Sequence, residues 1–158
     1  MTDSTSIVIF GASGDLSHRK LIPALYHLYL KGRLPKSFRV FGIAGRPWTD
    51  EDLRRVSRDG LNQFSRLPVD ENSWDTFSQT LSYLSGDISR AETYHQINER
   101  LSLLEGGDAN RMYYLATPPE YFLEIINNLA ANGLLHEVDA WRRVVIEKPF
   151  GEDLESAR

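Results

Sequence analysis

Two closely spaced glycines, Gly11 and Gly14, are the first residues in the chain whose type and position suggest chemistry. They follow an apolar β-branched and aromatic run at 7–10, which is typical of a strand buried on both faces. After them, apolar residues at 21, 24, 25 and 28 have the spacing of one helix face. A strand, a glycine turn and a helix together present backbone N–H groups and a helix N-terminus to a phosphate. The stretch therefore predicts a nucleotide-binding loop.

The small residues of this loop each contribute to that prediction. Gly11 permits the tight turn, Gly14 leaves room for a pyrophosphate, and Ser13 adds a hydroxyl donor. The loop differs from the full G-x-G-x-x-G fingerprint because Leu16 occupies the third glycine position, and no G-K-[ST] follows as in a Walker loop. An ordinary glycine turn between a strand and a helix is the alternative.

The rest of the chain alternates between strand and helix patterns. Strands are predicted at 7–10, 38–44, 81–84, 111–116 and 142–147. The first helix should kink or restart near Leu21 because of Pro23. Later helices are predicted after Thr49, over 73–81, from a capping box at 89 and 92 to Gly106, and from a cap at 117–118 to 133. This alternation predicts an α/β fold with a doubly wound, mostly parallel sheet in three layers, whose ligands bind at the carboxyl ends of the strands.

The composition argues against several classes of protein. With 158 residues, 41% hydrophobic and 25% charged, the chain is typical of one soluble globular domain. A net charge of -4 argues against a general nucleic-acid binder, and the arginines at 54, 55 and 58 fit a solvated helix face. Because there are zero cysteines, neither a disulfide framework nor a thiolate zinc site is expected, and no metal site is predicted. No apolar stretch approaches the ~20 residues of a membrane span and no signal peptide is evident, so a cytoplasmic protein is the default expectation.

The end of the second predicted strand bears on the choice of coenzyme. Enzymes that use NAD usually place an acidic residue there for the ribose diol, whereas enzymes that use NADP place an arginine there for the 2′-phosphate. Here Gly45 and Arg46 follow the strand, and no carboxylate occurs before Asp50. NADP is therefore favoured over NAD, with a surface arginine that meets no ligand as the alternative.

The motif E-K-P-F-G at 147–151 ends the fifth predicted strand. A lysine at that point, Lys148, can hydrogen-bond a substrate hydroxyl or a phosphate. Pro149 restricts the backbone of that lysine and is a candidate for a cis peptide bond. A strand end with an exposed lysine is the alternative.

Three motifs together resemble the glucose-6-phosphate dehydrogenase family: G-A-S-G-D-L-S-H-R-K-L-I-P-A-L-Y-H-L-Y at 11–29, Y-L-A-T-P-P at 114–119 and E-K-P-F-G-E-D-L at 147–154. The similarity runs through nearly all of 7–154. It implies that 1–158 is a single Rossmann-type domain that binds NADP, with NAD possible as an alternative coenzyme. The implied reaction is hydride transfer from C1 of glucose 6-phosphate, giving the 6-phosphoglucono-lactone, in the oxidative pentose phosphate pathway of glucose metabolism.

The resemblance also implies roles for particular residues. Asp87 and Ile88 match positions that flank the adenosine part of the coenzyme. Lys20 resembles a lysine near the sugar phosphate and the coenzyme, while Lys148 resembles one that contacts the substrate and orients the nicotinamide. Pro149 resembles a proline that follows a cis bond and helps to set the domain hinge. The coenzyme loop would consist of Gly11, Ala12, Ser13, Gly14, Asp15 and Leu16.

The sequence departs from the family in two respects. The family's coenzyme-selecting arginine usually follows the alanine of the second strand directly, where this chain has Gly45. Either Arg46 swings in to hold the 2′-phosphate, or the NADP preference is relaxed toward NAD. The family's catalytic base is a histidine of a C-terminal substrate domain with an H-Y-L-G-K-type motif that 1–158 lacks, so no catalytic residue is assigned here. The expectation is the coenzyme domain of a longer enzyme, which alone binds NADP without turnover and meets glucose 6-phosphate through the absent domain.

Two other interpretations stay open. One is another nicotinamide sugar oxidoreductase of the glucose–fructose oxidoreductase type, which also ends a Rossmann strand in E-K-P but favours the full G-x-G-x-x-G loop. The other is a free-standing dinucleotide-binding or interaction module without catalysis. Because apolar faces that pack against the second domain in the family would be exposed here, the isolated chain is expected to self-associate or to be only marginally stable. No nucleic-acid or membrane partner is expected.

Overall fold

The computed structural model describes residues 3–147 of the chain. Within these residues the strands are β1 Ser4–Phe10, β2 Ser37–Ala44, β3 Leu81–Ser85, β4 Asn110–Leu115 and β5 Arg142–Ile146. The α-helices are α1 Ile22–Leu30, α2 Asp50–Phe64, α3 Glu71–Ser78, α4 Ala91–Glu105 and α5 Phe122–Ala131. A π-helical turn, Ser17–Leu21, precedes α1, and a 3₁₀ turn, Pro119–Tyr121, precedes α5. Each predicted strand is confirmed to within about three residues at either end, as expected for boundaries set by pattern alone.

The strands form one parallel sheet in the order β3-β2-β1-β4-β5. The chain winds outward from β1 to β2 and β3, then returns to place β4 on the other side of β1. The predicted α/β, doubly wound parallel sheet is therefore confirmed. A crevice for a ligand is expected where the direction of winding reverses, outside the carboxyl ends of β1 and β4.

Two apolar layers cover the two faces of the sheet. Along β1, Ile7 and Ile9 belong to one layer, while Val8 and Phe10 belong to the other, because successive side chains of a strand point to opposite faces. Helices α1, α2 and α3 complete the first layer, and α4 and α5 complete the second. The three-layer arrangement is confirmed. Burial of β1 on both faces fixes the position of the loop that follows it.

Helix α1 begins as the proline pattern predicts. Pro23 is its second residue, where the missing N–H of proline is not needed by the helix. The preceding Ser17–Leu21 turn is π-helical, so the restart predicted near Leu21 is confirmed. This widened turn carries the chain from the glycine loop into the helix.

The predicted apolar face of α1 was right only in part. Leu21 and Leu25 are half-buried and pack against the first layer, but Leu28 is 36% exposed, and the buried residues of this helix are Ile22, Pro23 and Tyr26. The ring of Tyr26 packs edge-on against Trp74 and Phe77 at 6.0 and 5.3 Å, so the aromatic side of the helix is the more deeply buried one. The leucine face lines an apolar cleft, here called the α1–β4 cleft, with Ile7, Ile9, Leu21, Ala24, Leu25, Met112 and Tyr114.

The helix starts were predicted with mixed success. At α2, Thr49 Oγ1 accepts from the Asp52 N–H at 3.2 Å, which confirms the predicted cap. Asp52 Oδ2 in turn accepts from the Thr49 N–H at 2.9 Å, so the two residues form a capping box. The capping box predicted at 89 and 92 was wrong: Arg90 precedes α4 without a side-chain cap, because Ser89 donates to Asp87 instead. The cap predicted at Thr117 was also wrong, since the 3₁₀ turn begins only at 119.

A buried ion pair lies at the amino-terminal edge of the sheet, away from the predicted site. Arg111 Nη2 and Nε donate to the two Glu105 carboxylate oxygens at 2.8 and 3.0 Å, and Ser6 Oγ donates to Glu105 Oε1 at 2.7 Å. The two side chains of the pair are only 8% and 2% exposed. The pair therefore ties the end of α4 to β4. No helix within residues 3–147 combines the length and apolar character that a membrane span requires.

Candidate functional site

The loop after β1 makes the tight turn that its first glycine predicts. Gly11 has a φ of 84°, and an added Cβ would lie 2.6 Å from the carbonyl oxygen of Ala116. The N–H groups of Gly11 and Ala12 donate to the Ile43 carbonyl at 2.8 and 3.2 Å, and the Gly14 N–H donates to Gly11 O at 3.0 Å. Three N–H groups of the loop are therefore used inside the protein. Any phosphate must be met by the residues that follow.

A second glycine allows this loop to approach β2. A Cβ at Gly42 would lie 2.6 Å from the Cβ of Ala12, so a larger residue would push the loop outward. Gly42 lies inside a predicted strand, and strand patterns alone did not reveal its role. A glycine interrupting an apolar strand was the available signal, because such a glycine often marks close approach of backbone.

The helix that follows the loop carries several charged residues. Asp15 is exposed, and its Oδ1 lies 3.1 Å from Arg19 Nε and 3.5 Å from His18 Nε2. The Nδ1 of His18 lies 3.0 Å from Gly14 O, which ties the π-helical turn back to the loop. Leu16 is half-buried and Lys20 is exposed. The carboxylate at this helix start is thus paired with the guanidinium of Arg19.

The loop after β2 is open and carries the predicted arginine. No heavy atom of residues 3–147 lies within 4 Å of a Cβ added at Gly45, and Arg46 is exposed. The Arg46 guanidinium carbon lies 5.8 Å from the centre of the Trp48 ring. The carboxylate of Asp50 is already engaged through Oδ1, which accepts from the Tyr83 N–H at 2.7 Å.

The loop after β3 is held by hydrogen bonds within the protein. Asp87 Oδ1 accepts from the Ser89 hydroxyl and N–H at 2.7 and 2.9 Å, and these bonds hold the pKa of Asp87 below its usual value. The Tyr94 hydroxyl donates to Ile88 O at 2.7 Å, and the Thr93 hydroxyl donates to Asp87 O at 2.6 Å. The backbone of this loop is therefore fixed, while the side chain of Asp87 remains exposed.

Four strand ends converge on one cleft of about 500 Å³. We call it the strand-end cleft, and it is lined by Gly11, Ala44, Gly45, Ser85, Gly86, Asp87, Ile88 and Thr117. The convergence predicted for the ends of β1, β2, β3 and β4 is thus observed. The buried Thr117 Oγ1 has no hydrogen-bond partner within residues 3–147. A cleft of this size at the carboxyl ends of the strands, with Gly11 of the glycine loop in its wall, has the position and volume for a dinucleotide.

The residues after β5 were also predicted to lie at this cleft. They lie outside the described residues, since Lys148 and Pro149 follow residue 147. The residue before them, Glu147, accepts a hydrogen bond from the Tyr114 hydroxyl. Burial, together with this carboxylate, raises the pKa of Tyr114. The end of β5 is thereby joined to the neighbouring strand β4.

Among residues 3–147, neither of the two histidines near the loop forms a buried pair with a carboxylate. His18 and its partner Asp15 have side chains that are 30% and 71% exposed. His27 lies on the packed side of α1, with Nε2 3.0 Å from Ser65 Oγ. This geometry agrees with the interpretation of His27 as a packed or surface residue. Neither side chain has the arrangement of a catalytic base.

Sequence reasoning missed two aromatic residues beside the cleft. Tyr83 is 3% exposed, and its hydroxyl donates to Arg46 O at 2.8 Å. Trp48 packs against the Tyr83 ring with centroids 5.6 Å apart. In the sequence, Tyr83 has the pattern of an ordinary strand residue. Its contact with the arginine loop depends on the pairing of β2 with β3.

Comparison with known proteins agrees with this geometry. The family model described as glucose-6-phosphate dehydrogenase, NAD binding domain, matches residues 8–158. The glucose-6-phosphate 1-dehydrogenases of Chlamydia pneumoniae and Bacillus subtilis are 42% and 39% identical to the chain, each over 96% of it. The chain spans only 31% and 30% of the length of those relatives.

Solved structures give the same result. The crystal structure of glucose-6-phosphate 1-dehydrogenase from Mycobacterium avium superimposes with a TM-score of 0.86 at 36% identity, covering 98% of this chain and 31% of that one. A glucose-6-phosphate dehydrogenase in complex with its substrate glucose-6-phosphate gives a TM-score of 0.87 at 35% identity, covering 98% and 32%. The chain belongs to the glucose-6-phosphate dehydrogenase family, within which it matches the dinucleotide-binding domain.

Proposed function

We propose that the chain is the coenzyme-binding domain of a glucose-6-phosphate dehydrogenase and that the strand-end cleft holds NADP. The coenzyme would accept the hydride from C1 of glucose 6-phosphate. The observation that carries the proposal is the convergence of four strand ends on one cleft, which is lined by Gly11 of the glycine loop and by Gly45, the residue before Arg46. Family membership argues against the glucose–fructose oxidoreductase type.

The pyrophosphate is assigned to the residues after the tight turn. Because Gly11, Ala12 and Gly14 use their N–H groups internally, the donors left for a phosphate are those of Ser13 and of the helix start at 15–16. An exposed carboxylate at a helix start would repel a phosphate, but Asp15 is paired with Arg19. The loop therefore offers partial positive charge without a net opposing charge.

Arg46 is assigned to the 2′-phosphate of the adenosine ribose. Its guanidinium makes no ion pair within residues 3–147, so a phosphate would not have to displace a carboxylate. The nearest acid along the chain, Asp50, is engaged with Tyr83 and Arg100. These contacts favour NADP over NAD, despite the glycine at the position the family's arginine usually takes.

The remaining predicted residues receive roles at the two ends of the coenzyme. Asp87 and Ile88 would flank the adenosine, where the fixed backbone of their loop holds them at the cleft. Lys20, exposed on the π-helical turn, would lie near the sugar phosphate. The proposed contacts of Lys148 with substrate and nicotinamide, and the hinge role of Pro149, rest on the sequence motif.

A calorimetric titration of the intact protein with NADP and with NAD tests the coenzyme assignment. Arg46→Ala should weaken NADP binding by about 1.5–3 kcal/mol, the value of a hydrogen bond to a charged group, and leave NAD binding nearly unchanged. Arg33→Ala is the matched control, because Arg33 is exposed and precedes β2 whereas Arg46 follows it. Equal binding of both coenzymes, unaffected by Arg46→Ala, would contradict the NADP assignment.

Turnover of the intact protein tests the reaction. Formation of NADPH on addition of glucose 6-phosphate, and not on addition of unphosphorylated glucose, is the expected result. Coenzyme binding by the intact protein without such turnover would instead support the non-catalytic dinucleotide-binding module.

A further inference from the structure

Tyr83 lies on β3, next to the loop after β2 that borders the strand-end cleft. Its hydroxyl donates to the carbonyl oxygen of Arg46 at 2.8 Å. A carbonyl oxygen can only accept, so the phenol proton belongs to this bond. One buried hydroxyl thus ties the loop after β2 to the neighbouring strand β3.

The ring of Tyr83 is itself held firmly. The Tyr83 N–H donates to Asp50 Oδ1 at 2.7 Å, and the Trp48 ring packs on the phenol ring with centroids 5.6 Å apart. The Trp48 N–H donates to the same Arg46 carbonyl at 2.8 Å, so this oxygen uses both of its lone pairs. The loop has few other restraints at this point, since Gly45 has open space around it and the Arg46 side chain is exposed.

We infer that Tyr83 is a positioning residue for coenzyme selection, which fixes the backbone of Arg46 so that its guanidinium faces the 2′-phosphate. This inference rests on the proposed function. The discriminating contact with NADP then depends on a residue that touches no part of the coenzyme.

The test is a comparison of Tyr83→Phe with the wild-type intact protein in NADP and NAD titrations. Phenylalanine keeps the ring and its packing on Trp48, and removes only the hydroxyl. The dissociation constant for NADP should rise about three- to tenfold, which corresponds to the loss of one neutral hydrogen bond, while that for NAD should change less than about twofold. A residue with a merely structural role would change both constants alike.

Tyr113→Phe is the matched control. Tyr113 is fully buried in the opposite layer, where its hydroxyl donates to Leu134 O at 2.8 Å. The control therefore removes the same chemical group, with a comparable loss of stability, at a site away from the cleft. Neither dissociation constant should change in this variant.

The double variant Tyr83→Phe/Arg46→Ala tests the route of the effect. Because Tyr83 acts through Arg46, the ratio of the NADP and NAD dissociation constants in the double variant should equal the ratio in Arg46→Ala alone. An unchanged ratio in Tyr83→Phe, while Arg46→Ala loses selectivity, would overturn this inference and leave the proposed function standing. Equal weakening of both coenzymes in Tyr83→Phe would also overturn it. A wild-type protein that binds neither coenzyme, or both equally, would overturn the proposed function and this inference with it.

Discussion

Four glycines, three of them at or beside the candidate site and the fourth, Gly32, after the end of α1, should lose stability in a fixed order when they are replaced by alanine. Gly11 combines a φ of 84° with a backbone oxygen 2.6 Å from the added Cβ. Gly42 has only the close contact, 2.6 Å from Ala12 Cβ. Gly32 has only the positive φ of 65°, and no heavy atom of the described residues lies within 4 Å of its added Cβ. Gly45 has neither feature. The set therefore separates backbone strain from steric overlap.

The expected magnitudes follow from these two features. Alanine at Gly32 costs about 1 kcal/mol, because left-handed backbone costs about 1–2 kcal/mol and the lower entropy of the unfolded chain offsets part of it. Alanine at Gly42 overpacks the interior and costs about 1–3 kcal/mol. At Gly11 both costs apply, for a total of about 2–4 kcal/mol. Alanine at Gly45 should be neutral or should stabilise by up to about 1 kcal/mol.

Urea denaturation of the 158-residue chain, followed by the fluorescence of its three tryptophans, measures these free energies of unfolding. The expected order of destabilisation is Gly11→Ala first, then Gly42→Ala, then Gly32→Ala, with Gly45→Ala last. If Gly11→Ala were no more destabilising than Gly32→Ala, the loop would be free to move away from Ala116, and the argument that the fold fixes this turn would be refuted.

Three further predictions concern stability, pH and the isolated chain. Glu105→Gln should destabilise the protein by about 3–5 kcal/mol, because it leaves Arg111 buried without its charged partner; a loss below about 1 kcal/mol in urea denaturation would contradict this. Hydrogen bonds from the Ser73 hydroxyl and N–H lower the pKa of Asp70, so the stability it contributes is present above its ordinary pKa near about 3.9 and is lost as the pH falls through the lower pKa of the folded state. Asp70→Ser should keep a cap and lose this acid dependence, which melting curves below about pH 4 would show; an unchanged dependence would count against it. Finally, the 158-residue chain alone should bind NADP without oxidising glucose 6-phosphate, and turnover by this chain would contradict that expectation. The same chain should self-associate through the α1–β4 cleft, and a monomer in light scattering would argue against this.

The fold was largely predictable because its signals are local. The apolar run of β1, the acidic start of α2 and the glycine at 106, which adopts a φ of 65° after α4, each act through neighbouring residues. Alternating strands and helices then leave few topologies. The face of α1 was not predictable in this way, because the aromatic contacts of Tyr26 with α3 outweigh the leucine spacing. Likewise, the sequence pattern allows Ser89 either to cap α4 or to hydrogen-bond Asp87. In the turn after β3 the Ser89 hydroxyl donates to Asp87, so it does not cap the helix.

The residues of the candidate site likewise differ in whether local sequence signals reveal them. The glycine loop and the arginine after β2 were visible in the sequence, since each follows directly on a strand. The contributions of Gly42 and Tyr83 were not visible, because they depend on which strands are neighbours. Gly42 faces Ala12 across the β1–β2 pair, and Tyr83 reaches the Arg46 loop across the β2–β3 pair.

A crystal structure of the intact protein with bound NADP tests the central claim most directly. The account predicts that the pyrophosphate lies within about 2.7–3.2 Å of backbone N–H groups at 13–16 and that the 2′-phosphate meets the Arg46 guanidinium. NADP bound outside the strand-end cleft, or a 2′-phosphate that faces solvent while Arg46 points elsewhere, would contradict it.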